Sequence, residues 1–270
     1  GTFFGGNNEM ALVLAMIIPL LAYLRLQEHR PWLKLGLGSA MMLSAIAAIG
    51  SQSRGGMLGL AAMGLFLWFK SRNKFVTALM IGSSVLIIGS IMPQAWYDRM
   101  NTIKTYQQDD SSLGRINAWW TAFNVAKSRI TGGGRDMFRP PTFAQYAPEP
   151  DRVHDVHSIY FEQIGEQGFI GFGIFMTLGL MTWARCNQIM RKFKRDPDRK
   201  WAADLAAMIQ VSLVGYASAG AFLGLSYFDL YYHLIAITVM AWIFANQPIE
   251  GGASAVPVEK KPRSFTRQRA

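Results

Sequence analysis

Long blocks of apolar residues, separated by short basic segments, dominate this sequence. The apolar residues do not alternate with polar ones at helical spacing, so the blocks lack the polar stripe that helices of soluble proteins carry. A block of about 18 or more apolar residues is long enough to cross the roughly 30 Å hydrocarbon layer of a membrane as a helix. We therefore predict an all-α integral membrane protein, a polytopic helical bundle of about seven spans.

The predicted membrane domain covers residues 1–247. Its spans are residues 9–24, 35–50, 55–69, 75–92, 159–183, 204–221 and 227–246. Residues 93–157 form one large polar loop, in which the apolar spacing of residues 116–125 predicts a helix. The Gly132–Gly134 run and the Pro140-Pro141 pair after it predict irregular loop and a turn. Residues 248–270 are rich in Gly, Pro, Lys and Arg, and predict a disordered basic tail.

Basic residues indicate how the spans are oriented. Lys and Arg cluster in the connections at residues 25–34, 70–74 and 185–200, and in the tail. The excess of positive charge on cytoplasmic loops assigns these segments to the cytoplasm. The loop 93–157, Arg54 and His157 are then predicted on the opposite, outer face. The net charge of +10 is thereby explained as a topology signal, and we predict no nucleic-acid partner.

A polar cluster of His154, Asp155 and His157 lies where the loop enters the fifth predicted span. Titratable residues at the mouth of a span are functional candidates. A histidine can accept a proton from a hydroxyl at neutral pH, and Asp155 or Glu162 could orient its ring. A metal site and a structural contact are the alternatives, although no third ligand has a recognisable spacing. The single cysteine, Cys186, also argues against a thiolate zinc site.

Two arginines are candidates for binding an anion. Arg54 lies in a Ser53-Arg54-Gly55 sequence, where glycine permits close approach and the planar guanidinium suits phosphate oxygens. Arg115 is predicted in the first turn of the loop helix, where the helix dipole disfavours a cation unless an anion binds beside it. The alternatives are that Arg54 reaches the lipid headgroups and that Arg115 is an ordinary surface residue.

Glu162 and Glu166 are four residues apart and are predicted on one face of the fifth span. We expect them to form a wet edge facing the loop, with a role in the site as the alternative. The glycines between residues 165 and 173 are expected to allow close helix packing.

These residues resemble the signature of a known family. His157-Ser158, followed after nine residues by Gly168-Phe169-Ile170-Gly171, is similar to the motif of the O-antigen ligase family. Ser53-Arg54-Gly55 resembles a second motif of that family, and Gly114-Arg115 resembles a third, early in its large periplasmic loop. The opening Gly6-Asn7-Asn8-Glu9 is similar to exosortase-associated putative O-glycosylation ligases. Members have more spans than the seven predicted here and the chain opens on Gly1, so we expect an N-terminal truncation.

The resemblance implies a metal-independent glycosyltransferase of a bacterial inner membrane, with its active site facing the periplasm. The enzyme would move a glycan from undecaprenyl diphosphate to a hydroxyl of a glycan, lipid or protein acceptor, without a cofactor. His157 would be the general base, and Arg54 and Arg115 would bind the diphosphate. The predicted substrate contacts are His154, Asp155, Arg152, Glu162 and Trp119.

Three other functions remain open at this point. A polymerase that extends a lipid-linked glycan would share the same architecture and charges. A transporter for lipid-linked sugar would need charged residues along a path through the membrane, whereas the charges here are predicted at one outer rim. A non-catalytic membrane scaffold would tolerate the loss of His157.

Overall fold

The computed structural model describes residues 6–71, 73–92, 94 and 110–248. These residues form helices and no strand. The helices are α1 (Asn7–Gln27), α2 (Pro31–Gly50), α3 (Arg54–Lys70), α4 (Lys74–Ile91), α5 (Asp110–Ser128), α6 (Pro140–Tyr146), α7 (Ile159–Phe193), α8 (Lys200–Gly220) and α9 (Asp229–Asn246). The predicted tail, apart from residue 248, and the start of the predicted loop, apart from residue 94, lie outside the described residues.

Within the part of the chain that the structure describes, four helices are long and apolar enough to cross a membrane: α1, α2, α7 and α8. Helix α4 contains a shorter apolar stretch, Lys74–Ile87. The all-helical character is thus confirmed for the described residues. The full set of seven spans and the outer position of the loop stay predictions.

Helix α8 is the centre of the bundle and packs against α1, α3, α7 and α9. Its small side chains allow this close packing, because they let neighbouring backbones approach. The buried small residues of α8 are Ala202, Ala203, Ala206, Ser212, Gly215, Ala219 and Gly220. The Ser212 hydroxyl donates a 2.8 Å hydrogen bond to the Met16 carbonyl of α1, which fixes the two helices to each other. Helices α2 and α4 are peripheral: Ala48 is the one buried residue of α2, and most of the described side chains of α4 are exposed.

Helix α7 is broken at Gly168, whose φ of 66° and ψ of −170° are not helical. The break folds the first part of the helix back towards α8. Tyr160 Oη donates to the Ala217 carbonyl at 2.8 Å, while the ring of Phe175 lies 6.5 Å from that of Tyr216. Two α7 residues separated by more than four helical turns in sequence therefore reach neighbouring residues of α8.

The loop helix is present but longer than predicted. Because α5 begins at Asp110, Arg115 lies in its second turn rather than its first, and the argument from the helix dipole does not apply. Pro140 and Pro141 begin the short helix α6 instead of forming a turn, since proline is well suited to the first helical positions. Helix α5 packs against α7 and α6. Its buried face consists of Gly114, Asn117, Ala118, Thr121, Ala122, Val125 and Ala126.

Candidate functional site

Several helix ends meet at one end of the bundle, which we call the His157 end. A Cβ atom added at Gly56 would lie 2.5 Å from Ala11 Cβ, so the beginnings of α3 and α1 are in close contact. A Cβ at Gly220 would lie 2.6 Å from Ile159 Cδ1, which joins the end of α8 to the start of α7. That Arg54, the loop and His157 lie on the outer face of a membrane stays a prediction.

His157 precedes α7 and adopts a left-handed backbone conformation, with φ of 41°. This conformation is uncommon for a residue with a side chain, and such strain is found at functional sites. Its Nδ1 lies 3.6 Å from Asp155 Oδ2, and the Val156 N–H donates to Asp155 Oδ1 at 2.7 Å. Asp155 is therefore held by the backbone and faces the imidazole; the sequence left open whether Asp155 or Glu162 would do so.

Burial lowers the pKa of the His157 imidazole below its ordinary value of 6.5. The charge of Asp155 raises this pKa, Arg115 and His154 lower it, and Glu9 raises it. The imidazole is therefore mainly neutral at pH 7. With Nδ1 directed at Asp155, the Nε2 atom is the one available to accept a proton.

His154 lies beside His157, with ring centroids 5.5 Å apart. Its Nδ1 donates to the Asp155 carbonyl at 2.7 Å. A Cβ added at Gly114 would lie 2.7 Å from His154 Cδ2, so the backbone of α5 passes directly against this ring. This contact brings Arg115, the next residue of α5, to the histidine pair, and its charge acts on His157.

Arg54 is the first residue of α3, and the Ser53 hydroxyl caps this helix by accepting from the Gly56 N–H at 3.1 Å. A Cβ at Gly55 would lie 3.3 Å from Leu223 Cγ, and one at Gly224 would lie 3.7 Å from His157 Cα. The connection between α8 and α9 thus contacts both the start of α3 and the histidine. The half-buried Arg54 is at the same end of the bundle as His157 and Arg115.

Trp119 and Arg152 have structural partners within the loop. The Trp119 indole N–H donates to the Val156 carbonyl at 2.8 Å, and its ring stacks on Phe161 with centroids 4.9 Å apart. Arg152 Nη1 pairs with Glu149 Oε2 at 2.9 Å. Trp119 therefore attaches α5 to the residues around His157, and the substrate contacts predicted for it and for Arg152 stay predictions.

Glu162 and Glu166 do not form a wet edge. Glu162 Oε2 accepts from the Ser226 N–H at 2.9 Å. Glu166 is only 6% exposed and accepts from the Asp136 N–H at 2.9 Å and from Tyr227 Oη at 2.7 Å. The expectation failed because the fold places the α8–α9 connection and the loop over this helix face, a tertiary contact that spacing along one helix does not reveal.

Sequence reasoning did not select Glu9 as a site residue. Glu9 lies in the first turn of α1, is half-buried, and its charge acts on His157. The sequence feature that could have identified Glu9 is the position of its carboxylate just ahead of an apolar span. Among the described residues, no group of three His, Cys, Asp or Glu side chains could hold a metal ion.

The sequence matches the family described as O-antigen ligase over residues 39–176, which is 138 of the 270 residues. The chain belongs to the O-antigen ligase family. The matched region contains Arg54, Arg115 and His157, and the resemblance noted in the sequence is confirmed. Membership indicates a multi-pass membrane protein of the glycosyltransferase type, with lipid-linked glycans as its substrates. No curated protein and no solved structure matches the chain.

Proposed function

We propose that this protein is a ligase-type glycosyltransferase that moves a glycan from undecaprenyl diphosphate to an acceptor hydroxyl on the periplasmic face of a bacterial inner membrane. The proposal rests on the environment of the His157 side chain. Its imidazole is kept neutral by burial, faces Asp155 through Nδ1, and lies beside Arg115 at one end of an apolar helical bundle. A neutral imidazole next to a fixed cation fits a reaction that needs a base and produces an anion.

The reaction assigns a separate task to each residue. His157 Nε2 accepts the proton of the acceptor hydroxyl while the hydroxyl oxygen bonds to the anomeric carbon of the glycan. The bond from that carbon to the diphosphate oxygen breaks, and its electron pair leaves with the diphosphate. Asp155 stabilises the imidazolium that forms. Direct attack of this kind inverts the anomeric configuration.

Arg54 and Arg115 would bind the diphosphate. Negative charge develops on this group as the sugar bond breaks, and fixed cations in a site shielded from water stabilise it strongly. Arginine presents a planar fork that can hold two phosphate oxygens at once. The two arginines come from different elements, α3 and α5, so they can bind the diphosphate from the membrane side and from the loop side.

An in vitro transfer assay tests the proposal. The purified protein is mixed with glycan-linked undecaprenyl diphosphate and an acceptor, with and without a chelator. We expect transfer that the chelator does not affect, and a loss of 10²-fold to 10⁴-fold in His157→Ala. Normal transfer by His157→Ala would exclude the base assignment. Product that stays on the lipid carrier would instead identify a polymerase of the same superfamily.

A further inference from the structure

Glu166 joins two segments that are far apart in the sequence. Its Oε1 accepts from the Asp136 N–H and its Oε2 accepts from the hydroxyl of Tyr227. The Tyr227 oxygen also accepts from Gln167 Nε2 at 3.0 Å. Because the carboxylate is buried and both of its oxygens are bonded, it connects the loop and the α8–α9 connection to each other through α7.

The first connected segment, residues 130–136, follows helix α5, which carries Arg115. It docks on the break of α7, where the carbonyls near Gly168 have lost their helical partners. The Gly133 N–H donates to the Gly165 carbonyl at 2.8 Å, and the Gly134 N–H donates to the Glu166 carbonyl at 3.0 Å. The docked segment leaves no room for a side chain at position 132, since a Cβ at Gly132 would lie 2.5 Å from the Gly168 nitrogen.

The second connected segment is the α8–α9 connection, which contains Tyr227. Its Leu223 packs against Gly55, the residue after Arg54, and its Gly224 packs against the backbone of His157. A change in the position of this connection would therefore move the surroundings of both Arg54 and His157.

We infer that Glu166 is a positioning residue for the transfer reaction. By hydrogen-bonding the segment that follows α5 and the α8–α9 connection at once, it fixes the helix that carries Arg115 relative to the connection that contacts Gly55 and His157. A carboxylate is suited to this task because it offers two acceptor oxygens and forms stronger hydrogen bonds than a neutral group. The inference rests on the proposed function, in which the two arginines bind one diphosphate.

Binding of undecaprenyl diphosphate to the protein in lipid nanodiscs tests the inference without requiring an acceptor. We expect Glu166→Ala to weaken binding at least tenfold and Tyr227→Phe to weaken it about threefold to tenfold. Glu166→Gln keeps one acceptor oxygen and should stay within about threefold of the wild type. In the transfer assay, KM for the lipid-linked donor should rise in the same order.

Asp136→Asn is the matched control. It removes a carboxylate from the same segment but keeps the N–H that Glu166 binds, and asparagine tolerates the positive φ of 60° at this position. Binding by this variant should equal that of the wild type.

A purely structural role for Glu166 would lower the fraction of active protein and leave the affinity and KM of the folded fraction unchanged. Wild-type affinity in folded Glu166→Ala would therefore overturn the inference. If Glu166→Ala does not fold, Tyr227→Phe decides in its place, because it removes a single oxygen. Failure of the proposed function looks different, since the wild type would then not bind the lipid, or Arg54→Ala would bind it normally.

Discussion

The indole N–H of Trp119 donates a hydrogen bond to the carbonyl of Val156, one residue before His157. The two atoms are 2.8 Å apart, and the same indole ring stacks on Phe161 of α7. Trp119 thus holds the strained backbone at His157 to the helix that carries Arg115. Trp119 therefore fixes the segment before His157 relative to the helix that carries Arg115, without itself having to contact a substrate.

Replacing Trp119 by phenylalanine tests this relationship. Trp119→Phe keeps an aromatic ring against Phe161 but loses the N–H, and one hydrogen bond contributes about 1 kcal/mol. We expect transfer to fall about fivefold while the protein still folds, as measured by initial rates and thermal melting. Trp120→Phe is the control, because Trp120 is 51% exposed, and it should stay within about twofold of the wild type.

The rate of transfer should depend on pH through His157. Since burial lowers the pKa of His157, the rate should be constant above neutral pH and should fall on acidification with a midpoint below 6.5. Asp155 raises this pKa, so Asp155→Asn should shift the midpoint to lower pH, and Arg115→Ala should shift it to higher pH. The measurement is kcat/KM from pH 4.5 to 9. Shifts in the opposite directions would show that another group controls the acid limb.

The two proposed diphosphate ligands should require arginine rather than positive charge alone. We expect Arg54→Ala to reduce kcat/KM by about 10²-fold to 10³-fold, and Arg54→Lys to recover only part of the loss, because lysine lacks the planar fork. Arg139→Ala is the control, since this exposed arginine pairs with Asp136. Equal rates for Arg54→Lys and the wild type would contradict bidentate binding.

The break of α7 should require glycine at position 168. A Cβ there would lie 2.0 Å from the Ile130 carbonyl oxygen, and the φ of 66° is unfavourable for alanine. We expect Gly168→Ala to destabilise the protein by about 3 kcal/mol and to lower its melting temperature in detergent. Gly173→Ala, with no atom within 4 Å of the added Cβ, should melt within about 2 °C of the wild type or above it. An unchanged melting temperature in Gly168→Ala would argue against the docked loop.

The helices could be predicted from the sequence because apolar blocks of this length have few alternatives. The site candidates Arg54 and His157 came from polar residues at predicted span ends, and Arg115 came from the start of the predicted loop helix. The structure brings these segments to one end of the bundle. The break at Gly168 could not be predicted, because glycine in a membrane helix more often serves packing. The break accompanies the docking of a loop segment that lies more than thirty residues earlier in the chain.

Contacts between distant segments account for the residues that the sequence did not reveal. Glu166 is buried because Asp136 and Tyr227 cover it, and neither is near it in the sequence. Glu9 acts on His157 because the fold brings the start of α1 to the segment that precedes α7. The spacing of residues along a single helix predicts neither the burial of Glu166 nor the effect of Glu9 on His157. The position of Arg115 was misjudged for a different reason, since α5 begins six residues before the first residue of the predicted helix.

The break of α7 determines where the imidazole lies along the bundle. Residues 159–167 precede the break and span about 14 Å as a helix, so a straight continuation would carry them away from Ala217 at the end of α8. In the proposed function, a sugar carrier anchored by its polyprenyl tail could not follow a base to that distance without pulling apolar chain into water. The bend would then let the carrier react while its tail stays immersed in the bilayer.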